Sequence, residues 1–120
     1  MPKTLNSKRY DLEDRTLEFG KRILKLVKTL PKNQINQRLV DQVLRSGTSL
    51  GANYREANET ETKRDFCFRL RICRKEAKET IYWLNLIIEA NPELNKRILP
   101  LLGETTELLK IFAKIIEKSR

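Results

Sequence analysis

The segment 39-LVDQVLRSGTSLGANYRE-56 keeps apolar residues at helical spacing while placing Arg45, Ser46, Ser49, Asn53, Arg55 and Glu56 on the same helix. An ordinary amphipathic helix needs no such set of small and polar side chains beside its apolar stripe. Either two helices approach closely here and the polar groups bond across the gap, or the segment touches a partner. Gly47 and Gly51 lie four residues apart, which leaves one side of the helix almost without side-chain bulk. Each glycine costs about 1 kcal/mol relative to alanine in a helix interior, and close backbone approach would offset that cost. The competing reading is a break in the helix between the two glycines.

Outward from this segment, the second helix is expected over Gln34 to Ala57, with Ile35, Leu39, Val43, Ser46 or Gly47, Leu50 and Tyr54 facing inward. Upstream, Leu12, Thr16, Phe19, Ile23, Leu26 and Leu30 alternate gaps of four and three, the seam of a packed helix beginning near Asp11. Pro31 ends it, because proline disfavours helical geometry in the residue before it. Downstream, Thr62 followed by Asp65 resembles an N-terminal capping arrangement. It opens a third helix with Phe66, Leu70, Cys73, Ala77, Ile81, Leu84 and Ile88 on one face and a stop near Ala90. A fourth helix has Pro92 in its first turn and runs through Leu94, Ile98, Leu101, Leu102, Thr105, Leu108, Leu109, Phe112 and Ile116. Pro100 interrupts that pattern and predicts a kink, or a short helix before it. Four helices joined by short loops must alternate in direction. The expected fold is therefore all-α, an antiparallel up-down-up-down four-helix bundle over residues 11–118, preceded by a partly ordered N-terminal arm at residues 1–10.

A chain of 120 residues supports one domain. Its 39% hydrophobic and 34% charged residues describe a thin core under an ionic coat, which suits a bundle that completes its burial by self-association. The formal charge is +9, of which +6 falls in residues 1–57. Such a balance raises encounter with RNA, DNA or an acidic protein, and equally suits a basic protein that is merely soluble. Cys67 and Cys73, six apart on one helix, cannot bridge and have no short metal spacing around them, so they read as small apolar side chains. No run approaches the length of a membrane span and the N-terminus has no apolar signal core, so the expectation is a cytoplasmic protein without membrane contact.

Two stripes on the third helix stand outside the core pattern. Arg64, Arg71, Lys75 and Lys78 fall opposite the apolar face, with Tyr82 continuing the line. Such a ridge can follow a phosphate backbone with the tyrosine as a stacking platform, or can simply be a solvated face. Between ridge and core lies a flank of Phe68, Ile72, Glu79 and Trp83, with Glu76 beside it. This second apolar stripe exceeds what one bundle needs, which points to burial against another subunit with Trp83 as anchor, or to wide packing inside one chain.

Catalytic chemistry has little support. Histidine is absent, which removes the usual general base at neutral pH and the Glu-x-x-His ligands of helical di-iron bundles. Glu76 and Glu79 share a turn, but Arg69, Lys75 and Lys78 around them favour ion pairing over a metal site. SGTSLG lacks the lysine of a phosphate-binding loop, and Ser46 and Ser49 have no activating partner. No catalytic residue, metal or cofactor is expected.

The stretches LVDQVLRSGTSLGANYREA and KRDFCFRLRICRKEAKETIYWLNLI resemble the two signature regions of proteins encoded in intervening sequences of bacterial 23S rRNA genes, also labelled S23 proteins. The resemblance covers about residues 11–113 and rests on Arg45, Ser49, Asn53, Glu56, Glu76, Glu79 and Trp83. It implies a left-handed four-helix bundle assembled as a homopentamer around a central channel. It also implies kinship with the accessory variability protein of diversity-generating retroelements, which binds a reverse transcriptase and nucleic acid. On the same resemblance, Arg45, Asn53, Glu56 and Glu76 would form a polar network joining the second and third helices, or lie at a subunit contact. The chain departs from the family at its first helix, where Tyr10-Asp-Leu-Glu-Asp replaces an aromatic-rich start.

Overall fold

Why α1 (Lys3–Thr29) meets α2 (Gln34–Asn58) where it does is settled by the two glycines of the opening segment. A Cβ at Gly47 would stand 2.9 Å from Ile23 Cγ1, and one at Gly51 would stand 3.1 Å from Thr16 Oγ1. Thr16 cannot yield, because its hydroxyl already donates to the carbonyl oxygens of Leu12 and Glu13 at 2.9 and 3.0 Å. Helix α2 runs unbroken through both glycines, so the expected close approach is realised and the break is not.

The structure is a computed structural model that describes residues 3–119, with side chains from residue 11. Its elements are α1 (Lys3–Thr29), α2 (Gln34–Asn58), α3 (Lys63–Ala90) and α4 (Asn95–Lys118), with one 3₁₀ turn at Pro92–Leu94 before α4. No strand occurs among the described residues. Helix α1 thus begins at Lys3, ahead of the Asp11 start that its apolar seam suggested.

Contacts across the seams fix the topology. Ile23 faces Gly47 and Thr16 faces Gly51, while Glu13 receives Asn58 Nδ2 at 2.8 Å, so α1 and α2 are antiparallel. Arg45 meets Glu79 and Asn53 meets Arg69, which makes α2 and α3 antiparallel too. Cys67, near the start of α3, lies against Ser119 just beyond the end of α4. The result is the expected up-down-up-down bundle, a rod of 47 × 22 × 19 Å. Packing is closest between α2 and α3 and lightest between α1 and α4. That light seam is bridged by a bidentate pair, Arg15 Nε to Glu104 Oε2 at 2.7 Å and Arg15 Nη2 to Glu104 Oε1 at 2.9 Å.

The apolar seam of α1 is buried throughout, as are Val43, Leu50, Tyr54, Leu70, Cys73, Ala77, Leu84, Ile98, Leu101, Leu108, Phe112 and Ile116. Phe66, Ile88, Leu102 and Leu109, expected inward, are half-buried flanks packed beside that core, and Ile81 is half-buried. Burial pushes the Cys73 thiol up to about 12, in keeping with its role as a small apolar filler. Thr62 caps α3 by accepting from the Asp65 backbone N–H at 3.0 Å, as its position suggested.

Two expectations need correction. Ile35 does not face inward but stands 66% exposed, and Asn36 is buried in its place. The Asn36 and Asn91 amides exchange hydrogen bonds at 2.9 and 2.8 Å, and Asn36 also donates to the Pro31 carbonyl at 2.8 Å. This polar clasp at the base of the bundle satisfies two chain turns at once and sets the first turn of α2. The fourth helix likewise starts later than Pro92: the proline opens the separate 3₁₀ turn, and Pro100 is carried inside α4.

Two stability predictions follow from these seams. Gly47→Ala gains helix propensity but forces its methyl into the fully buried Ile23, so a net loss of about 1 kcal/mol is expected. Gly103→Ala, with open space at its Cβ, should instead gain about 0.5–1 kcal/mol. Urea unfolding of both variants separates close approach from glycine content. The Arg15 hydrogen bond holds the Glu104 carboxylate below its ordinary value of 4.5, partly opposed by burial. A lowered folded-state value adds stability above the unfolded value that is lost as pH falls through the folded one. Thermal melts below about pH 4.5 should therefore fall more steeply for the wild type than for Glu104→Gln.

Candidate functional site

The α2 and α3 helices meet along a polar seam, and most of the residues singled out from the sequence lie on it. The small, buried Ser46 lets the helices close, and its Oγ is hydrogen-bonded with Thr80 Oγ1 at 2.8 Å. Thr80 also donates within its own helix, to the Glu76 carbonyl oxygen at 2.8 Å. At the solvent edge, Arg45 spans to α3, donating to Glu79 Oε1 at 2.8 Å and to Glu76 Oε1 at 3.3 Å. The Glu79 hydrogen bond leads the effects that hold the Arg45 guanidinium above its ordinary value. Lys75 closes the set at 3.9 Å from Glu79 Oε2.

The remaining network residues divide. Asn53 Oδ1 accepts from Arg69 Nη1 at 3.5 Å, a second link across the seam. Ser49 turns back on its own helix, donating to the Arg45 carbonyl oxygen at 2.6 Å. Glu56 is exposed and takes no part in the network among the described residues. Its neighbour Arg55 instead pairs with Glu13 at 3.4 Å, on the α1 side. Glu76, whose side chain is only 9% exposed, is thus a buried carboxylate compensated by one arginine. No group of three or more metal-ligating side chains occurs among the described residues.

The basic ridge is intact on the outer face of α3. Arg64, Arg71, Lys75, Lys78 and Tyr82 are all exposed. Arg64, Arg71 and Lys78 make no ion pair among the described residues. The apolar flank splits by depth. Trp83 is half-buried and packs beside the core of its own chain, Ile72 is half-buried, and Phe68 stands 58% exposed. The Trp83 ring meets Tyr82 edge to face, centroids 5.0 Å apart and planes at 78°. Its indole N–H is buried with no acceptor among the described residues.

Sequence reasoning missed the Arg15–Glu104 pair, the Ser46–Thr80 bond and the Asn36–Asn91 clasp. The last had a signal in Asn91, a polar residue directly before Pro92 at a helix end. The other two join positions 89 and 34 residues apart, with nothing local to couple them.

If Arg45 neutralises Glu76, Arg45→Met should destabilise the bundle, and the loss should shrink when Glu76→Gln is added. A double-mutant cycle by urea unfolding is expected to give a coupling of about 0.5–1 kcal/mol. Coupling near zero would reduce the pair to a surface contact.

The chain matches the family model described as 23S rRNA-intervening sequence protein over residues 8–114. It is also similar to a crystal structure of a protein with unknown function from the S23 ribosomal protein family of Bacteroides thetaiotaomicron VPI-5482. The two are 38% identical, with a TM-score of 0.80, over 92% of this chain and 98% of that one. Among curated proteins, none matches.

Proposed function

The chain belongs to the 23S rRNA-intervening sequence protein family, and on that premise we propose that it is a non-enzymatic, homo-oligomeric bundle that binds nucleic acid, or a nucleic-acid-processing enzyme, through its basic surface. The observation that carries this reading is the row of exposed cations on α3, three of which have no counter-charge among the described residues. On a chain of net charge +9 such a row is an electrostatic footprint for phosphates. Ile72 and Trp83, half-buried on the flank of the same helix, support self-association, for which the pentamer of the resembled proteins is the working stoichiometry. The absence of histidine, which removes the usual general base at neutral pH, supports a binding role rather than catalysis. No helix among the described residues is long and apolar enough to cross a membrane.

A second reading is an adaptor that acts only through protein contacts. The half-buried Trp83 beside the exposed Phe68 favours it, because aromatic anchors dominate protein interfaces. The charge would then complement an acidic partner, a reverse transcriptase being the kind that the resemblance suggests.

Replacing Arg71, Lys75 and Lys78 together by glutamate distinguishes the two. For the nucleic-acid reading, RNA binding should be lost while the assembly mass by light scattering is unchanged. Before substitution, affinity should fall with salt, with at least about two units of log–log slope arising from three phosphate contacts. RNA binding no greater than that of a charge-matched basic control at about 50 mM salt would rule out that reading and leave the adaptor.

A further inference from the structure

We infer that the outer face of α3 is a track for single-stranded nucleic acid, with Phe68 and Tyr82 as base-stacking platforms at its two ends. The inference rests on the nucleic-acid reading above and narrows its ligand. Arg64, Phe68, Arg71, Lys75, Lys78 and Tyr82 recur every three or four residues, so they share one face of the helix. All six are exposed. The two rings are 58% exposed each, on a face otherwise lined largely with charge. Fourteen positions separate them, about 21 Å along the axis, with Arg71, Lys75 and Lys78 between.

Each component fits a single strand better than the alternatives. A duplex hides its base faces in the stack and offers only backbone and groove edges, which would leave both rings without a base face to stack on. A single strand presents its bases, and aromatic stacking accepts any of them. A protein docking over this face would have to desolvate several like charges lying a turn apart, whereas a polyanion neutralises them. Length agrees as well, since about 21 Å matches a segment of roughly four nucleotides, the lower end of known single-strand site sizes.

Tyr82 is the better-prepared platform. Trp83 packs edge to face against it at 5.0 Å and is itself held beside the core, so one side of the ring is supported before any ligand arrives. A pre-oriented ring loses less freedom on stacking. Glu79 borders the track, and it is engaged by Arg45 at 2.8 Å and Lys75 at 3.9 Å. Asp65 and Glu89, near the two ends of α3, bound the track in charge.

Trp83 is the sole tryptophan, so its emission reports on the Tyr82 platform directly. The test titrates the full chain with an oligouridine of about ten nucleotides and with a hairpin duplex of equal phosphate number, at about 50 mM salt. The single strand should bind about tenfold more tightly and change Trp83 emission. Tyr82→Leu and Phe68→Leu should each weaken the single strand about tenfold, leave the duplex unchanged, and leave the assembly mass by light scattering unchanged. Equal or tighter duplex binding, or indifference to Tyr82→Leu, would overturn the track while leaving general nucleic-acid binding intact. A change of mass in Phe68→Leu would assign that ring to a subunit contact and overturn the two-platform track. Binding of neither oligonucleotide would overturn this inference and the reading beneath it together.

Discussion

The close approach of α1 to α2 at Gly47 and Gly51 is the constraint on which the rest of the bundle depends. With Ile23 and Thr16 seated where two Cβ atoms would stand, α1 is fixed in depth and register against α2. The cost is two glycines in a helix interior, about 2 kcal/mol of lost propensity. Burial of Thr16, Phe19, Ile23 and Leu26 against the same surface offsets it. Because α1 touches α4 only lightly, its place in the bundle is set chiefly from the α2 side.

The other side of α2 then explains the polar residues that looked out of place. Ser46 is small enough for α3 to close upon and polar enough to receive the Thr80 hydroxyl, so the tightest helix pair has a buried hydrogen bond at its centre. Arg45 sits one residue earlier, turned to the solvent edge, where it reaches two carboxylates of α3. Small residues inside and charged residues at the rim are thus two consequences of one short interhelical distance. The buried Glu76 is tolerable only because that distance brings Arg45 within reach.

With its core face filled, α3 has its outer face and the half-buried flank at Ile72 left for anything beyond the fold. That outer face carries Arg64, Arg71 and Lys78 without counter-charge among the described residues, and two exposed rings that lie outside the core. The proposed nucleic-acid contact thus lies on a convex helix surface rather than in a cleft, a shape that suits an extended polymer.

What the sequence by itself determined was whatever depends on neighbours within a few residues. The alternating gaps from Leu12 to Leu30, the Thr62 cap and the ridge from Arg64 to Tyr82 are all read from helical geometry, and each stands where that geometry puts it. The glycine pair announced a close approach because nothing local could justify it. Tertiary structure alone decided which helix fills that gap, and which carboxylates Arg45 selects. It also decided that Asn36 rather than Ile35 turns inward, since an amide clasp to Asn91, 55 residues away, outweighs the burial of one isoleucine in the first turn. Glu56 and Phe68 show the same limit from the other direction. Their types and spacing matched a network and an interface, but within one chain both face solvent, because neither has a neighbour across a seam to meet.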